Sequence, residues 1–529
     1  MKVINKLVLL TLLGVSVGTT LTSCDNGLEA INENTNSPEI VPTYTIFNGA
    51  NRYLMNYTRD GWWSARMSLP WMQYSAQNNY IEEDKYQYRD TQTTNGWTYL
   101  YRTANNYKDI IQRVEDPSTA SQMAAYGNIQ NQIAASRIML AYTFDNLVTH
   151  FGDVPYWSYG QRNNPDFQAL QIETYTNPKY ASQEEIYKDI LNELKAAADQ
   201  IVVGDKVFTA GDNIYDGDAA KWKKFANSLR LRIANRIKHK LPAAQTHINE
   251  ALASGVFTSN ADNAAHAFGS ADAEGNPFWK LFYVDNRTDF YVNRTFVQLL
   301  KGEKGSYGLD PRLFKVAAPI GSTAAEIKSG SESQSRDLTK YTGMPYGLPT
   351  VETVFSSSAI NFFNSNYTKI NKAEVLMEYA EVEFILAELN GWSQANYEAG
   401  VKASMEKMGV DSAEITAFIA TLPAATQEHV LNQKYIALLG NSDESWNEYR
   451  RTGYPNGTIL LMPGATGTRP DGTTYVFTPL MSGNVVASDI PGRVRYPIGQ
   501  QTLNKANWTT ASAGLSNGDE INSKLYFAR

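Results

Sequence analysis

Cysteine is almost absent from this sequence, because Cys24 is the only one among 529 residues. A single cysteine excludes a disulfide within the chain and leaves little for a thiolate metal site. Histidine is also scarce: five are present, none in an H-E-x-x-H motif, and neither a G-x-S-x-G elbow nor a P-loop occurs. We therefore predict a protein that is not an enzyme and that has no cofactor and no bound metal.

An excess of positive charge is lacking as well. The chain carries 47 lysines and arginines against 54 aspartates and glutamates, which gives a net charge of −7 and a pI near 5.5. Nucleic-acid-binding domains usually display a basic patch, so nucleic acid is not an expected partner. The apolar run from Leu7 to Leu21 is roughly fifteen residues long, too short for the ~20 that a membrane-spanning helix needs.

This short apolar run is typical of a signal peptide. Lys2 and Lys6 precede it, and it ends in Leu21-Thr22-Ser23-Cys24, the pattern of a bacterial lipoprotein cleavage site. We predict residues 1–23 to be a signal peptide, residues 24–40 a lipidated flexible tether, and residues 41–529 a single domain. A diacylglyceryl group on Cys24 would anchor the protein to a membrane. An ordinary signal peptide followed by an incidental cysteine is the alternative.

Apolar residues recur at helical spacing from about residue 97 onward. The clearest stripe consists of Val375, Tyr379, Val382, Leu386 and Leu389, at spacings of four, three, four and three. Helices predicted in this way follow one another in pairs, which favours a mainly α fold in which tetratricopeptide-type helix pairs form a scaffold. The pairs cover approximately residues 99–144, 183–237, 375–401 and 428–449.

Asp218 stands directly before one of these helices and is its predicted N-cap. The neighbouring acidic residues Asp212 and Asp216 lack the order of a calcium loop, so we interpret them as structural. Four long tracts have little helical signal and predict a large irregular, loop-rich half; they are residues 41–96, 153–181, 258–372 and 452–529. Because these tracts are so long, a pure tetratricopeptide adaptor is disfavoured, and long loops often carry function.

Aromatic residues make up 12% of the chain, and many fall in these tracts. A flat ring offers an apolar face to a pyranose, while amide, guanidinium and carboxylate neighbours bind its hydroxyl groups. Any single aromatic residue is nevertheless more often a packing residue, as we expect for Trp222, Trp392 and Trp446. The predicted ligand-binding residues are Trp62, Trp63, Tyr74, Asn78, Trp97, Trp279, Tyr283, Arg287, Asp289 and Tyr291.

Several segments in one order resemble the SusD/RagB family of outer-membrane lipoproteins. Besides the cleavage site before Cys24, they are F-G-D-V-P-Y at 151–156, G-D-A-A-K-W-K-K-F-A-N-S-L-R-L-R at 217–232, L-D-P-R-L at 309–313, E-V-E-F-I-L-A-E at 381–388, W-N-E-Y-R-R-T-G-Y-P at 446–455, and R-V-R-Y-P-I-G-Q at 493–500. Their common order across the chain makes the resemblance specific, and it is greatest to the SusD-like branch.

The resemblance implies a surface-exposed, lipid-anchored protein of the outer membrane. Such a protein binds an oligosaccharide and delivers it to a SusC-like TonB-dependent transporter, which would be its partner. Delivery of peptides in the same role is the main alternative, and a surface glycoside hydrolase is a weaker one, because paired carboxylates need no sequence motif. Ligand residues of the family lie in variable loops, so the predicted site rests on the aromatic residues alone.

Overall fold

The computed structural model describes residues 41–481 and 485–529. The predicted signal peptide, Cys24 and the predicted tether lie outside the described residues, so the division of the chain into these segments stays a prediction. Contacts group Thr43–Arg529 into one compact unit. Among the described residues, every helix is either too short or too polar to cross a membrane.

Helices dominate the described residues. In chain order they are α1 (Thr43–Thr58), α2 (Ser68–Trp71), α3 (Asp90–Glu115), α4 (Ala120–Met123), α5 (Ile129–Phe151), α6 (Gln183–Gln200), α7 (Ala219–Ile237), α8 (Ala244–Ser254), α9 (Pro277–Tyr283), α10 (Arg294–Leu300), α11 (Leu313–Val316), α12 (Ala324–Ser329), α13 (Tyr379–Leu389), α14 (Gln394–Lys407), α15 (Ser412–Ile419), α16 (Gln427–Ala437), α17 (Ser442–Thr452), α18 (Ile498–Leu503) and α19 (Lys505–Ala513).

The strands of the described chain are short and form two-stranded antiparallel ladders. They pair as β1 (Ser75–Gln77) with β3 (Phe290–Val292), β2 (Ala264–His266) with β4 (Glu374–Met377), and β5 (Thr466–Thr468) with β6 (Thr474–Val476). The β1–β3 and β5–β6 ladders pair segments that the sequence predicts to be irregular. The β2–β4 ladder connects one such segment to the chain just before α13. The predicted fold class, mainly α with helix pairs and a loop-rich half, is confirmed.

The helix pairs pack as consecutive neighbours: α6 contacts α5 and α7, and α13 contacts α14. Asp218 caps α7 as predicted, because its side chain accepts a hydrogen bond from the backbone N–H of Lys221 at 3.1 Å. Asp212 has a structural role too, since its Oδ2 accepts from the Trp222 indole Nε1 at 2.7 Å. Trp222 and Trp446 are fully buried, as expected for packing residues.

Three details of the predicted helices are wrong. The tract 41–96 contains the four-turn helix α1, whose buried Phe47 and Leu54 alternate with polar residues that weaken its periodic signal. Helix α3 begins at Asp90, well before residue 97. Val375 lies on strand β4 because the chain pairs with β2 there, so the helix begins only at Tyr379.

Charged side chains hold the helices of the scaffold together. Arg236 on α7 donates to Asp145 on α5 at 2.7 Å and to Glu444 on α17 at 2.6 Å, and all three side chains are buried. Arg451 at the end of α17 binds Glu388 at the end of α13 through two hydrogen bonds of 2.8 and 2.6 Å. These pairs fix distant helices against one another and leave the loop-rich half to carry the exposed aromatic residues.

Candidate ligand-binding site

The β1–β3 ladder brings two distant aromatic tracts together. Gln77 stands opposite Phe290, and just beyond this pair the backbone N–H of Asn78 donates to the carbonyl oxygen of Asp289 at 3.1 Å. The loops that leave the two strands at this end therefore lie side by side. They carry Tyr80 on one side and Arg287 on the other, and the Cζ of Arg287 lies 5.0 Å from the centroid of the Tyr80 ring.

A tight turn after α1 presents Trp62. The Asp60 Oδ1 accepts hydrogen bonds from the backbone N–H groups of Trp62 at 2.9 Å and Trp63 at 2.7 Å, which fixes the turn. Gly61, between Asp60 and Trp62, lies close to α9, because a Cβ at this position would overlap the Leu281 side chain and force it to move. The result is a Trp62 side chain that is 45% exposed, an unusual state for so large a ring.

Arg66 lies behind the Trp62 ring. Its Cζ is 4.4 Å from the Trp62 ring centroid and 5.0 Å from that of Phe290, although the Arg66 side chain is only 1% exposed. Its Nε lies 2.9 Å from Oε2 of Glu83, and its Nη2 lies 4.0 Å from Oδ2 of Asp289. Burial lowers the pKa of Arg66 and raises that of Glu83, since both charges are removed from water.

The polar floor of this site is incompletely paired. Within the described chain, the buried atoms Asn78 Oδ1, Asp289 Oδ2 and Arg66 Nη2 have no hydrogen-bond partner. Asp289 Oδ1 lies 3.6 Å from Arg287 Nε, which is longer than a good charged hydrogen bond. Unpaired buried atoms also occur elsewhere in the described chain, so it is their position beside the exposed Trp62 and Tyr80 rings that makes this group a candidate site.

Asp60 has the most perturbed carboxyl group of the turn. Burial raises its pKa from 3.8 to about 6, and nearby Asp285 acts in the same direction, although the two backbone hydrogen bonds and Arg66 oppose the shift. A carboxylate that is poorly solvated and close to other charges is typical of functional sites. Within the described residues, no group of three or more His, Cys, Asp or Glu side chains is arranged to hold a metal ion.

Backbone strain accompanies the exposed rings. Tyr80 has φ of 55°, in the left-handed region that few residues other than glycine adopt, and Asn286, next to Arg287, has φ of 52°, which asparagine adopts more readily. Strained residues persist where the surrounding structure holds them and cluster at functional sites. The backbone conformations at these two positions set the directions in which Tyr80 and Arg287 leave the backbone.

The structure brings four of the predicted residues together at this site: Trp62, Asn78, Arg287 and Asp289. Four others serve as packing residues here, because their rings are enclosed by other side chains. Tyr74 is stacked on Tyr435 with ring centroids 4.5 Å apart, and Tyr291 is stacked on Phe362 at the same distance. Trp63 packs against Phe151, and Trp97 lies among the rings of several other residues. All four of these predicted residues are buried: Trp63, Tyr74, Trp97 and Tyr291.

The two remaining predicted residues lie on α9. Trp279 and Tyr283 are neighbours with ring centroids 5.8 Å apart, and the Lys328 Nζ lies within 5.3 and 5.6 Å of their respective centroids. Trp279 is only 5% exposed, whereas Tyr283 is half-buried and pairs through its hydroxyl with Thr368 at 3.2 Å. Lys328 thus covers these rings, and we leave them out of the site built around Trp62.

Sequence reasoning missed Tyr80, which is 45% exposed and faces Arg287. It lies in the same tract as many other tyrosines, and nothing in the local sequence distinguishes an exposed ring from a buried one. Arg89 was also missed as a partner of the Trp62 ring, whose centroid lies 5.6 Å from Arg89 Cζ. It gave no signal because it is remote from Trp62 in sequence and reaches the ring through tertiary structure.

Comparisons with solved structures show where this architecture occurs. A chitin-binding protein is 25% identical, has a TM-score of 0.71, and is matched over 92% of this chain and 100% of its own. A SusD homologue from Parabacteroides distasonis is 20% identical with a TM-score of 0.72, covering 92% of this chain and 98% of its own. A SusD homologue from Bacteroides fragilis is 22% identical with a TM-score of 0.70, covering 92% and 100%. No curated protein matches the chain.

Family models give the assignment. The SusD-like model described as "Starch-binding associating with outer membrane" matches residues 34–473, and the model described as "Susd and RagB outer membrane lipoprotein" matches residues 424–528. These descriptions confirm the predicted location at the outer membrane, and binding of carbohydrate is a property of the family. Because the first match alone spans most of the sequence, the chain belongs to the SusD/RagB family of outer-membrane lipoproteins.

Proposed function

We propose that this protein is a cell-surface lipoprotein that binds an oligosaccharide and delivers it to a SusC-like TonB-dependent outer-membrane transporter. The observation that carries the proposal is the pair of exposed rings, Trp62 and Tyr80, beside a polar floor with unpaired atoms. The starch-binding description of the matching family and the chitin-binding protein among the similar structures support a carbohydrate ligand. The protein acts by binding and not by catalysis.

The chemistry of a sugar fits this arrangement. A pyranose has an apolar C–H face, which can stack on Trp62 or Tyr80, and a rim of hydroxyl groups that both donate and accept hydrogen bonds. Arg287, whose side chain is 30% exposed, can donate to a hydroxyl, and the carboxylate of Asp289 beside it can accept from one. Stacking would supply apolar contact area, and these polar groups would select the orientation of the sugar ring.

Binding of purified protein to malto- and chito-oligosaccharides, measured by isothermal titration calorimetry, tests this site. We expect Trp62→Ala to weaken binding about fivefold or more, since loss of one stacked ring removes on the order of 1 kcal/mol or more. Trp392→Ala is the matched control, because Trp392 is half-buried and packs against the core from the turn between α13 and α14. Unchanged affinity in Trp62→Ala would show that the sugar binds elsewhere.

A peptide ligand would give a different pattern. Arg287, Asp289 and Asn78 could also pair with a peptide backbone, so a panel of peptides belongs in the same experiment. Peptide binding that Trp62→Ala weakens, with no saccharide binding, would retain the site and replace the ligand. Release of reducing sugar by the purified protein would contradict a purely binding role.

The transporter and the anchor are tested in the cell. We expect the protein to co-purify from detergent-solubilised outer membranes with a TonB-dependent transporter. Cys24→Ala should release the protein from the membrane fraction and leave its saccharide affinity unchanged, because the anchor precedes the folded unit in sequence. A Cys24→Ala protein that folds but cannot bind would contradict this separation of anchor and site.

A further inference from the structure

A second group of aromatic residues at the surface lies on helices α1 and α3, outside the site described above. Tyr53 and Tyr57 stand one turn apart on α1, and Tyr99 faces them from α3. The Tyr57 and Tyr99 rings are stacked with centroids 3.5 Å apart, and Tyr53 meets them edge-on at 4.6 and 5.4 Å. All three rings remain half-buried, so this tyrosine triad is part of the protein surface.

An open cleft of about 560 Å³ adjoins the triad. Tyr53 forms one wall, and Leu170 contributes an apolar contact from the loop that follows α5. Leu170 is held in a left-handed conformation with φ of 59°, and its carbonyl oxygen accepts a hydrogen bond from the Lys108 Nζ. Leu170 is therefore held in place by its backbone conformation and by this hydrogen bond, which favours a preformed side of the cleft.

The polar residues of the cleft are mostly uncharged. Asn105 and Asn106 contribute amides, which can donate and accept hydrogen bonds, and Arg102 is the one charged residue lining the cleft. Arg102 Nη1 donates to the Tyr53 hydroxyl at 3.4 Å, so the guanidinium lies beside the ring. Rings next to amides, with little net charge, suit a neutral polyol better than an ion or a strongly charged peptide.

The triad lies close to the first site along the chain, because Tyr53 and Tyr57 precede Trp62 by fewer than ten residues. Tyr57 is near enough to Asp60 for that carboxylate to contribute to the raised pKa of the Tyr57 hydroxyl, although burial is the main cause. Asp60 in turn fixes the turn that presents Trp62. On α3, Gly96 lies against the Trp63 ring, and Tyr99 is one turn further along the same helix. The triad and Trp62 are thus parts of neighbouring surfaces.

We propose that the tyrosine triad and its cleft form a second subsite for a neutral saccharide, distinct from the site around Trp62. The ligand class rests on the proposed function, whereas the location of the subsite rests on the geometry of α1 and α3. A protein with two such subsites takes chains of several sugar units and gains affinity with chain length, because each added contact contributes to the same binding event.

The test measures affinity against chain length. Malto- and chito-oligosaccharides from disaccharides to longer chains are titrated into wild-type protein, Trp62→Ala, and the double variant Tyr57→Ala/Tyr99→Ala. We expect the tyrosine variant to weaken binding of the longer oligosaccharides by about tenfold and to flatten the gain of affinity with chain length. Asn105→Ala, which keeps the rings, should give a smaller loss in the same direction.

Controls separate folding from binding. Tyr526→Ala removes another half-buried tyrosine, whose ring packs against Tyr187 on α6, and should leave every affinity unchanged. Circular dichroism and thermal melting identify any variant that fails to fold; in that case the conservative Tyr57→Leu/Tyr99→Leu variant, which retains apolar volume without the stacked rings, replaces it.

The outcomes distinguish the two proposals. Wild-type affinity of the tyrosine variants for all chain lengths, together with a loss in Trp62→Ala, would overturn the second subsite and leave the proposed function standing. A loss in the tyrosine variants with unchanged Trp62→Ala would support the second subsite and move the main site away from Trp62. Absence of binding of any neutral oligosaccharide to the wild-type protein would overturn both.

Discussion

Acid should weaken the helical scaffold through Glu388, and the structure gives the size of the effect. Glu388 ends α13, its side chain is 10% exposed, and Arg451 holds it through two hydrogen bonds while Lys238 Nζ lies 3.0 Å away. Burial alone would raise the pKa of Glu388, but the charges of Arg451 and Lys238 and the hydrogen bonds of Arg451 lower it from 4.5 to about 2.

The sign follows from the direction of this pKa change. A carboxyl group with a lower pKa in the folded state stabilises the protein above its unfolded pKa, and this stabilisation is lost as pH falls toward the folded value. A difference of about 2.5 pKa units corresponds to about 3 kcal/mol at pH 7. By pH 3 most unfolded-state Glu388 is protonated while the folded-state group is still ionised, and only about 1 kcal/mol is left.

Glu388→Gln measures this contribution. The free energy of unfolding, obtained from urea titrations followed by tryptophan fluorescence, should fall by about 3 kcal/mol at pH 7 and by about 1 kcal/mol at pH 3 relative to wild type. Glu406→Gln is the matched control: Glu406 is exposed and pairs with Lys402 at 3.8 Å within α14, so its loss should cost no more than about 0.5 kcal/mol. An equal loss at both pH values in Glu388→Gln would refute the reasoning.

Three further substitutions test other contacts. Asp60→Asn keeps an oxygen acceptor for the backbone N–H of Trp62 and removes a carboxyl group whose pKa is raised to about 6. Because ionising this group costs more in the folded state than in the unfolded state, the variant should be more stable than wild type at pH 7 and lose that advantage below pH 4. Urea titrations at both pH values measure the difference. Gly96→Ala would place a Cβ inside the Trp63 ring and should cost about 1–3 kcal/mol, measured as a lowered denaturation midpoint. Trp222→Phe leaves Asp212 without its indole donor and should cost about 1–3 kcal/mol in the same assay, and an unaffected midpoint would mean that other donors to Asp212 suffice.

Local signals in the sequence predicted the scaffold well. Asp218 before an amphipathic run is a capping pattern whose partners lie within four residues, so the sequence contains all of the information it needs. The stripe along α13 was recognised for the same reason. The helix prediction is wrong only at Val375, which pairs with strand β2. Because β2 is remote in sequence, the local pattern could not show this pairing.

The site could be predicted only in part, because exposure is a tertiary property. Trp62 and Trp63 are adjacent and chemically identical, yet one is 45% exposed and the other 3%. Their difference arises from the Asp60 turn and from α3, which covers Trp63 at Gly96. Likewise, Asn78 and Asp289 meet only because β1 pairs with β3, and no local pattern encodes that pairing.

Charge pairing separates the scaffold from the site in energetic terms. In the scaffold, Arg236 reaches two carboxylates at 2.7 and 2.6 Å, distances at which charged hydrogen bonds offset the cost of burial. At the site, Asp289 has its two arginine partners at 3.6 and 4.0 Å, and its Oδ2 is buried without a hydrogen bond. An unpaired buried acceptor costs about 1–3 kcal/mol, and nearby Tyr80 adds backbone strain. Buried atoms without a partner also occur in the scaffold, at Arg236 Nε and Glu444 Oε1, so the long distances around Asp289 distinguish the site more than its unpaired atom does. Under the proposed function, a hydroxyl group of the ligand would supply the hydrogen bond that Asp289 lacks.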